Sequence, residues 1–189
     1  MGDAAPARVT SARWRSLDGS GLDHVTLAID AERVVARGVV IGEQKGVRYG
    51  VYYRVDLDPL WRVREVALGA ADGRGLHLLS DGQGHWATGQ GAPLPQFDGC
   101  FDVDLSATPF TNTPPIRRNA WKTGERAELR MVYVPFDSFE PFVDGQIYTC
   151  LEPGRRFLYE AADGSFTSEL TIDEHGLVVD YPSLFAREP

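Results

Sequence analysis

Val47-Arg48-Tyr49-Gly50-Val51-Tyr52-Tyr53-Arg54-Val55 alternates as a strand does. Val47, Tyr49, Val51, Tyr53 and Val55 fall on one side; Arg48, Tyr52 and Arg54 are among the residues on the other. Successive strand side chains point to opposite faces, so the pattern predicts a long strand with one buried face. The same period recurs on both sides of it. Val25, Leu27 and Ile29 alternate with Thr26, Ala28 and Asp30, and Leu129, Met131 and Tyr133 with Arg130, Val132 and Val134. Phe157 and Tyr159, Phe166, Leu170 and Ile172, and Leu177 to Val179 continue it, with Leu177, Val179 and Tyr181 read as one face.

Turn signals separate these runs. Asp72-Gly73, Asp81-Gly82, Asp98-Gly99, Asp144-Gly145, Asp163-Gly164 and His175-Gly176 read as loops or hairpins. Their short spacing predicts antiparallel neighbours, since parallel pairing needs longer crossovers. No segment keeps a helical apolar period over ten residues. The best helical turn lies at Ser106–Asn112, with Ser106 or Thr108 as cap and Pro109 at the first position. Gln90–Gln96 reads as a loop and Gly69–Gly75 as a turn. The expectation is an all-β chain with at most short helical turns and more than ten mainly antiparallel strands. Such a set closes or rolls, as a barrel, a sandwich or a rolled sheet, because a large open sheet leaves unpaired edges.

Composition agrees. The 189 residues are 43% apolar and 24% charged, which suits one globular domain over 1–189 rather than disorder. Aromatics at 11% favour pleated surfaces, and 20 Gly with 12 Pro interrupt long helices. A net charge of −8 repels phosphate backbones and anionic bilayers, so nucleic acid is excluded as a partner and stable membrane association is not expected. Only Lys45 and Lys122 are lysines; the Arg bias fits either bidentate anion pairing or GC-rich coding. Met1-Gly2-Asp3-Ala4-Ala5-Pro6 lacks the charge and apolar run of a secretory leader, and Pro6 breaks the myristoylation pattern. No apolar run is long enough to span a bilayer, and the reading is cytoplasmic. There Cys100 and Cys150 are expected to be buried thiols.

Chemistry concentrates in Gly99-Cys100-Phe101-Asp102-Val103-Asp104-Leu105 and in Thr108-Pro109-Phe110-Thr111-Asn112-Thr113-Pro114-Pro115-Ile116-Arg117-Arg118. Alternation places Cys100, Asp102 and Asp104 on one strand face, with Phe101, Val103 and Leu105 on the other. Two carboxylates two residues apart lie about 7 Å from one another, a spacing open to acid–base work, to a metal, or to pairing with Arg. Thr111–Arg118 reads as a loop stiffened by Pro114 and Pro115. Adjacent strand residues face opposite ways, so Arg117 and Arg118 are expected on opposite faces and only one can face a given cavity. One would then be held by Asp102, Asp104 or Asp180, and the other would be free for a phosphate, carboxylate or sugar-bearing head group. His24, His77, His85 and His175 form no metal-ligand pair, and no nucleophile elbow, Walker loop or dinucleotide-binding glycine set occurs. No catalytic residue, metal or cofactor is nominated.

These residues resemble the bacterial putative glycolipid-binding family. The resemblance rests on the two stretches just quoted, on Gln146-Ile147-Tyr148-Thr149 and on Gly176-Leu177-Val178-Val179-Asp180-Tyr181-Pro182-Ser183-Leu184-Phe185. Arg37-Gly38-Val39-Val40 and the hairpin from Asp81-Gly82 to Trp86 fit the same layout, and essentially the whole chain is covered. Pro114 and Asn119 depart from the family pattern, which has Leu at each position. The resemblance implies a spiral β-roll, one rolled and mainly antiparallel sheet, similar in shape to lipoprotein carriers of the bacterial envelope. It transfers no catalytic residue.

The leading expectation is therefore a non-enzymatic binder of an amphipathic small molecule, a glycolipid or fatty-acyl compound. Arg117, Asn112, Tyr148 and Asp102 are expected at the mouth of its pocket, with Arg118, Thr111, Gln146 and Asp104 beside them. Two alternatives stay open: a hydrolase of a small ester or sugar conjugate using Asp102 and Asp104, and an interaction protein whose roll is filled by its own side chains. A cavity favours the first reading, a carboxylate pair in a cleft the second and a filled interior the third.

Overall fold

The computed structural model describes residues 7–189; the readings of Met1–Pro6 lie outside the described residues. Fourteen strands form one sheet: β1 (Arg8–Ser16), β2 (Leu22–Ile29), β3 (Val34–Gln44), β4 (Val47–Leu57), β5 (Val63–Ala70), β6 (Gly75–Ser80), β7 (Trp86–Thr88), β8 (Asp102–Leu105), β9 (Arg126–Val134), β10 (Phe142–Glu152), β11 (Arg156–Ala161), β12 (Thr167–Ile172), β13 (Val178–Tyr181) and β14 (Phe185–Glu188). Strands hold 55% of the residues, far above the usual 20–25%, so the all-β expectation stands. Each strand pairs with its sequence neighbour within β1–β7 and within β8–β14, and β1 pairs with β14. The two chain ends therefore meet in the middle of the sheet, and β7 and β8 are its edges. The sheet rolls without closing. All pairings are antiparallel except β8 with β9. That parallel pair needs a crossover, and residues 106–125 supply it through a 3-10 turn (Pro109–Asn112) and the short helix α1 (Thr113–Arg118). No described helix is long and apolar enough to cross a membrane.

Alternation on β8 and β9 divides the interior. Val103 and Leu105 pair with Val132 and Val134 and join a large cluster with Val25, Leu27, Val51, Tyr53 and Val55. Asp102 and Asp104 pair with Met131 and Tyr133 and face the other way. On that side lies a second cluster that includes Met131, Tyr148, Phe157, Leu170 and Ile116 of α1. Cys100 and Cys150 are free, buried thiols in different clusters.

Four local readings need correction. Cys100 does not share a face with Asp102 and Asp104. It precedes β8, after Gly99 at φ +86°, so strand parity does not reach it, and it packs in the cluster of Val103. Asp144-Gly145 is no turn: it lies inside β10, where Gly145 faces Arg130 across the ladder and a Cβ on it would come 2.8 Å from that of Ala162. Val179 is exposed, because a register shift between β12 and β13 pairs Thr171 with Asp180 but Ile172 with Val178, turning Val178 inward instead. Arg117 and Arg118 end a helix rather than lying in a strand. Pro114 and Pro115 occupy its first turn, where no backbone N–H is needed for the ladder and the fixed φ suits a helix. The turn expected at Ser106–Asn112 does form: Thr108 Oγ1 accepts from Phe110 N at 3.2 Å, with Pro109 first.

The crossover is docked by polar contacts. Thr113 Oγ1 donates to Gly176 O at 2.8 Å. Arg118 grips Asp102 bidentately, Nη1 to Oδ1 at 2.5 Å and Nη2 to Oδ2 at 2.6 Å, with the Asp102 side chain 1% exposed. Burial opposes the charge on Arg118, but Asp102 outweighs it and the guanidinium is held above its ordinary pKa. Arg117 diverges, as adjacent helix positions must, and lies exposed over the Trp61 ring at 5.2 Å.

A second carboxylate is buried, in the large core. Asp23 on β2 is 1% exposed; Oδ1 accepts from Tyr53 OH at 3.3 Å, and Oδ2 has no hydrogen-bond partner among the described residues. Tyr53 reaches it by lying over Gly38 on β3, where a Cβ would collide with the ring. Burial pushes Asp23 from its usual 3.8 up to about 7, against the hydrogen bonds from Thr108 and Tyr53.

Two outcomes follow from these buried charges. Asp23 favours the fold when protonated, so its stabilising protonation is fully present below about pH 4 and lost as pH rises to about 7. In pH-resolved denaturant melts, Asp23→Asn should gain on the wild type across that window by up to about 4 kcal/mol. A difference flat in pH contradicts the assignment. Arg118→Ala should cost about 3–5 kcal/mol by abandoning buried Asp102, whereas Arg117→Ala should cost about 0.5–1 kcal/mol. Equal losses in the two variants contradict this division, and adding Asp102→Ala should recover part of the Arg118→Ala loss.

Candidate functional site

Asp104 is the centre of the polar residues that the fold gathers. Its Oδ1 accepts from Thr111 Oγ1 at 2.7 Å, and its Oδ2 accepts from Gln146 Nε2 at 2.7 Å. Gln146 on β10 is buried and also reaches Asp144 Oδ2 at 3.5 Å. Two residues along the same strand face, Tyr148 donates its hydroxyl to Asn112 Oδ1 at 2.8 Å. Asn112 is held in turn by its Nδ2, which donates to Pro109 O at 3.1 Å. Burial raises the Asp104 carboxyl; the bonds from Thr111 and Gln146 pull against this, and the nearby Asp144 charge adds to it. Period-two spacing on β8 and β10, with one 3-10 turn between them in the chain, thus assembles the network.

Above it opens a cleft of about 680 Å³, within the range usual for ligand pockets. Asp104, Thr108 and Asn112 belong to its lining, with Asp144 of β10 and with Asp163 and Ser165 of the turn after β11. Its walls are aromatic: Tyr133 of β9, Phe142 of β10, Tyr159 of β11, Phe166, Tyr181 of β13 and Phe185 of β14. The rings touch in series. Tyr159 lies 6.0 Å from Phe166 and 6.4 Å from Tyr181, and Tyr181 lies 5.9 Å from Phe185. On the opposite wall Tyr133 and Phe142 are 5.1 Å apart. Gln44 and Lys45, at the β3–β4 turn, complete the rim. Burial pushes the Tyr133 phenol up to about 12, with the Asp104 charge adding, and raises Tyr159 and Tyr181 in the same way.

The eight residues singled out in the sequence thus divide into four groups. Asp104 and Asn112 line the cleft; Thr111, Gln146 and Tyr148 lie behind them and hold them in place. Asp102 and Arg118 are sealed on one another, so Asp102 and Asp104 do not present a shared pair to solvent. Arg117 lies outside the cleft's lining, over Trp61. The wall residues Tyr133, Phe142, Asp144, Tyr159, Phe166 and Tyr181 were not singled out as a site, although most carried the strand alternation. Their common face becomes visible only when β9–β13 are set side by side. Among the described residues no group of three or more His, Cys, Asp or Glu is placed to hold a metal.

The comparisons with known proteins agree with this architecture. A solved structure described as a DUF1089 family protein from Pseudomonas aeruginosa is similar over 100% of this chain and 97% of its own, at 38% identity and a TM-score of 0.77. No curated protein matches. The family profile described as "Putative glycolipid-binding" matches residues 11–187, from β1 into β14 and including the whole cleft, and the chain belongs to that family.

Proposed function

We propose that the cleft binds the polar head of an amphipathic molecule of the glycolipid type, without chemistry on it. The observation that carries this reading is the juxtaposition in one cavity of a half-buried, hydrogen-bonded acceptor, Asp104, with a continuous aromatic wall. Sugar hydroxyls are donors that a carboxylate and an amide oxygen can accept, and the flat apolar faces of a pyranose pack on aromatic rings. The exposed Phe142 and the half-buried Phe166 and Phe185 offer the adjoining alkyl chain a path along the wall. The family's description names the same ligand class. The hydrolase alternative loses its paired carboxylates to the Arg118 clamp on Asp102.

Titration calorimetry with n-alkyl β-glucosides below their micellar concentration tests the reading. Saturable one-to-one binding is expected. Phe142→Ala, at a half-exposed wall position, should weaken it by roughly 0.5–1.5 kcal/mol while leaving the melting curve in place. Arg117→Ala should leave binding unchanged, because Arg117 is not in the lining. Absence of saturable binding, or a loss on Arg117→Ala larger than on Phe142→Ala, would move the site elsewhere.

A further inference from the structure

The charge around the cleft is one-sided. Asp104, Asp144 and Asp163 line it, against a single cation, Lys45, whose Nζ is 3.2 Å from Asp137 Oδ2. Among the described residues no arginine is in the lining, although the chain has seventeen. Two positions of one strand supply an internal control. Asp102, buried, and Asp104, half-buried where the cleft opens, lie on the same face of β8, yet among the described residues only Asp102 is given a counter-ion, by Arg118 at 2.5 and 2.6 Å. Asp104 is satisfied by neutral donors alone, the Thr111 hydroxyl and the Gln146 amide. That same amide also reaches Asp144, so two carboxylates share one neutral donor. Burying a charge without a counter-charge is costly, and this one faces a cavity rather than packed core.

The walls carry the same sign. Aromatic faces are the negative side of the ring quadrupole and attract ammonium groups. Tyr133, Phe142, Tyr159, Phe166 and Tyr181 present rings to the space beside Asp104 and Asp144. After burial, the Asp104 charge is among the causes that raise the phenols of Tyr133, Tyr159 and Tyr181, so its field reaches both walls.

We infer that the head group this cleft selects is cationic: an amino sugar, or a sugar otherwise bearing a primary ammonium, seated among Asp104, Asp144 and the tyrosines. Anionic amphiphiles are excluded by the same carboxylates. This rests on the cleft being the ligand site and specifies the chemical class that the site prefers. No bond is made or broken.

The test uses the full-length protein and four amphiphiles with the same dodecyl tail, compared by calorimetry at pH 7 below micellar concentration. They are the β-glucoside, the 2-amino-2-deoxy-β-glucoside, its N-acetyl form and dodecyl phosphate. The expected order is the amine first, about tenfold or more tighter than the glucoside, with the N-acetyl form falling back to the glucoside and the phosphate weakest. Raising the salt should shrink the amine's advantage, because it is electrostatic. Asp144→Asn should lower the amine-to-glucoside affinity ratio several-fold. If that variant does not fold, N-acetylation removes the same attraction from the ligand side and decides the matter. Amine and glucoside binding equally, or the phosphate binding best, overturns the cationic head group and leaves the sugar site standing. Binding by none of the four overturns both.

Discussion

Everything distinctive here follows from a strand buried on both faces while polar on one. β8 is four residues long, and its period of two sends Val103 and Leu105 into the large core while turning Asp102 and Asp104 toward the smaller one. A carboxylate taken out of water must find compensation close by. For Asp102 the compensation is a bidentate arginine; for Asp104 it is a hydroxyl and an amide. Both answers come from the crossover that leaves β8 and from β10, two strands away in the sheet.

The crossover is thus more than a connection. Pairing β8 parallel to β9 obliges the chain to travel the length of the strand before it can return. The returning segment lies over the smaller cluster, contributes Ile116 to it, and is fastened at both ends of α1, by Thr113 on Gly176 and by Arg118 on Asp102. Gly176 serves this twice. Its φ of +81° makes the turn into β13, and a Cβ there would lie 2.7 Å from Arg117 Cδ. The tight stop of α1 and the turn before β13 are therefore one constraint.

The rolled sheet leaves a large core on one side of the β8–β9 wall and an aromatic cleft on the other. Two of the three outcomes weighed from sequence, a cavity and a filled roll, are thus divided between the two sides of one molecule, while the Asp102–Asp104 pair is broken by Arg118. The larger cluster fills its side with the protein's own residues, while the cleft keeps the half-buried Asp104 and the partly exposed rings of Tyr133, Phe142, Phe166 and Phe185 open to solvent, backed by the buried Tyr159 and Tyr181. Amphipathic aromatic side chains suit such a surface, since the ring packs while the hydroxyl stays available.

The alternation at Val47–Val55, and its repetition from Val25 to Tyr181, was sufficient to determine an all-β chain with antiparallel neighbours, because strand period and turn chemistry are local properties. The cap at Thr108 with Pro109 was legible for the same reason, and the motif residues placed Asp104, Thr111, Asn112, Gln146 and Tyr148 in one neighbourhood. The helix at Arg117 and Arg118 was not legible, since six residues beginning with Thr-Pro-Pro carry no periodicity and take their conformation from docking on Gly176 and Asp102. The inward turn of Val178 in place of Val179 depended on a register shift, which is a property of two strands together. Most of all, tertiary structure decided which carboxylate receives the arginine and which faces the cleft. Asp102 and Asp104 are identical in chemistry and equivalent in strand parity. Only the reach of Arg118 from α1 to Asp102, and of the Thr111 and Gln146 side chains to Asp104, tells them apart.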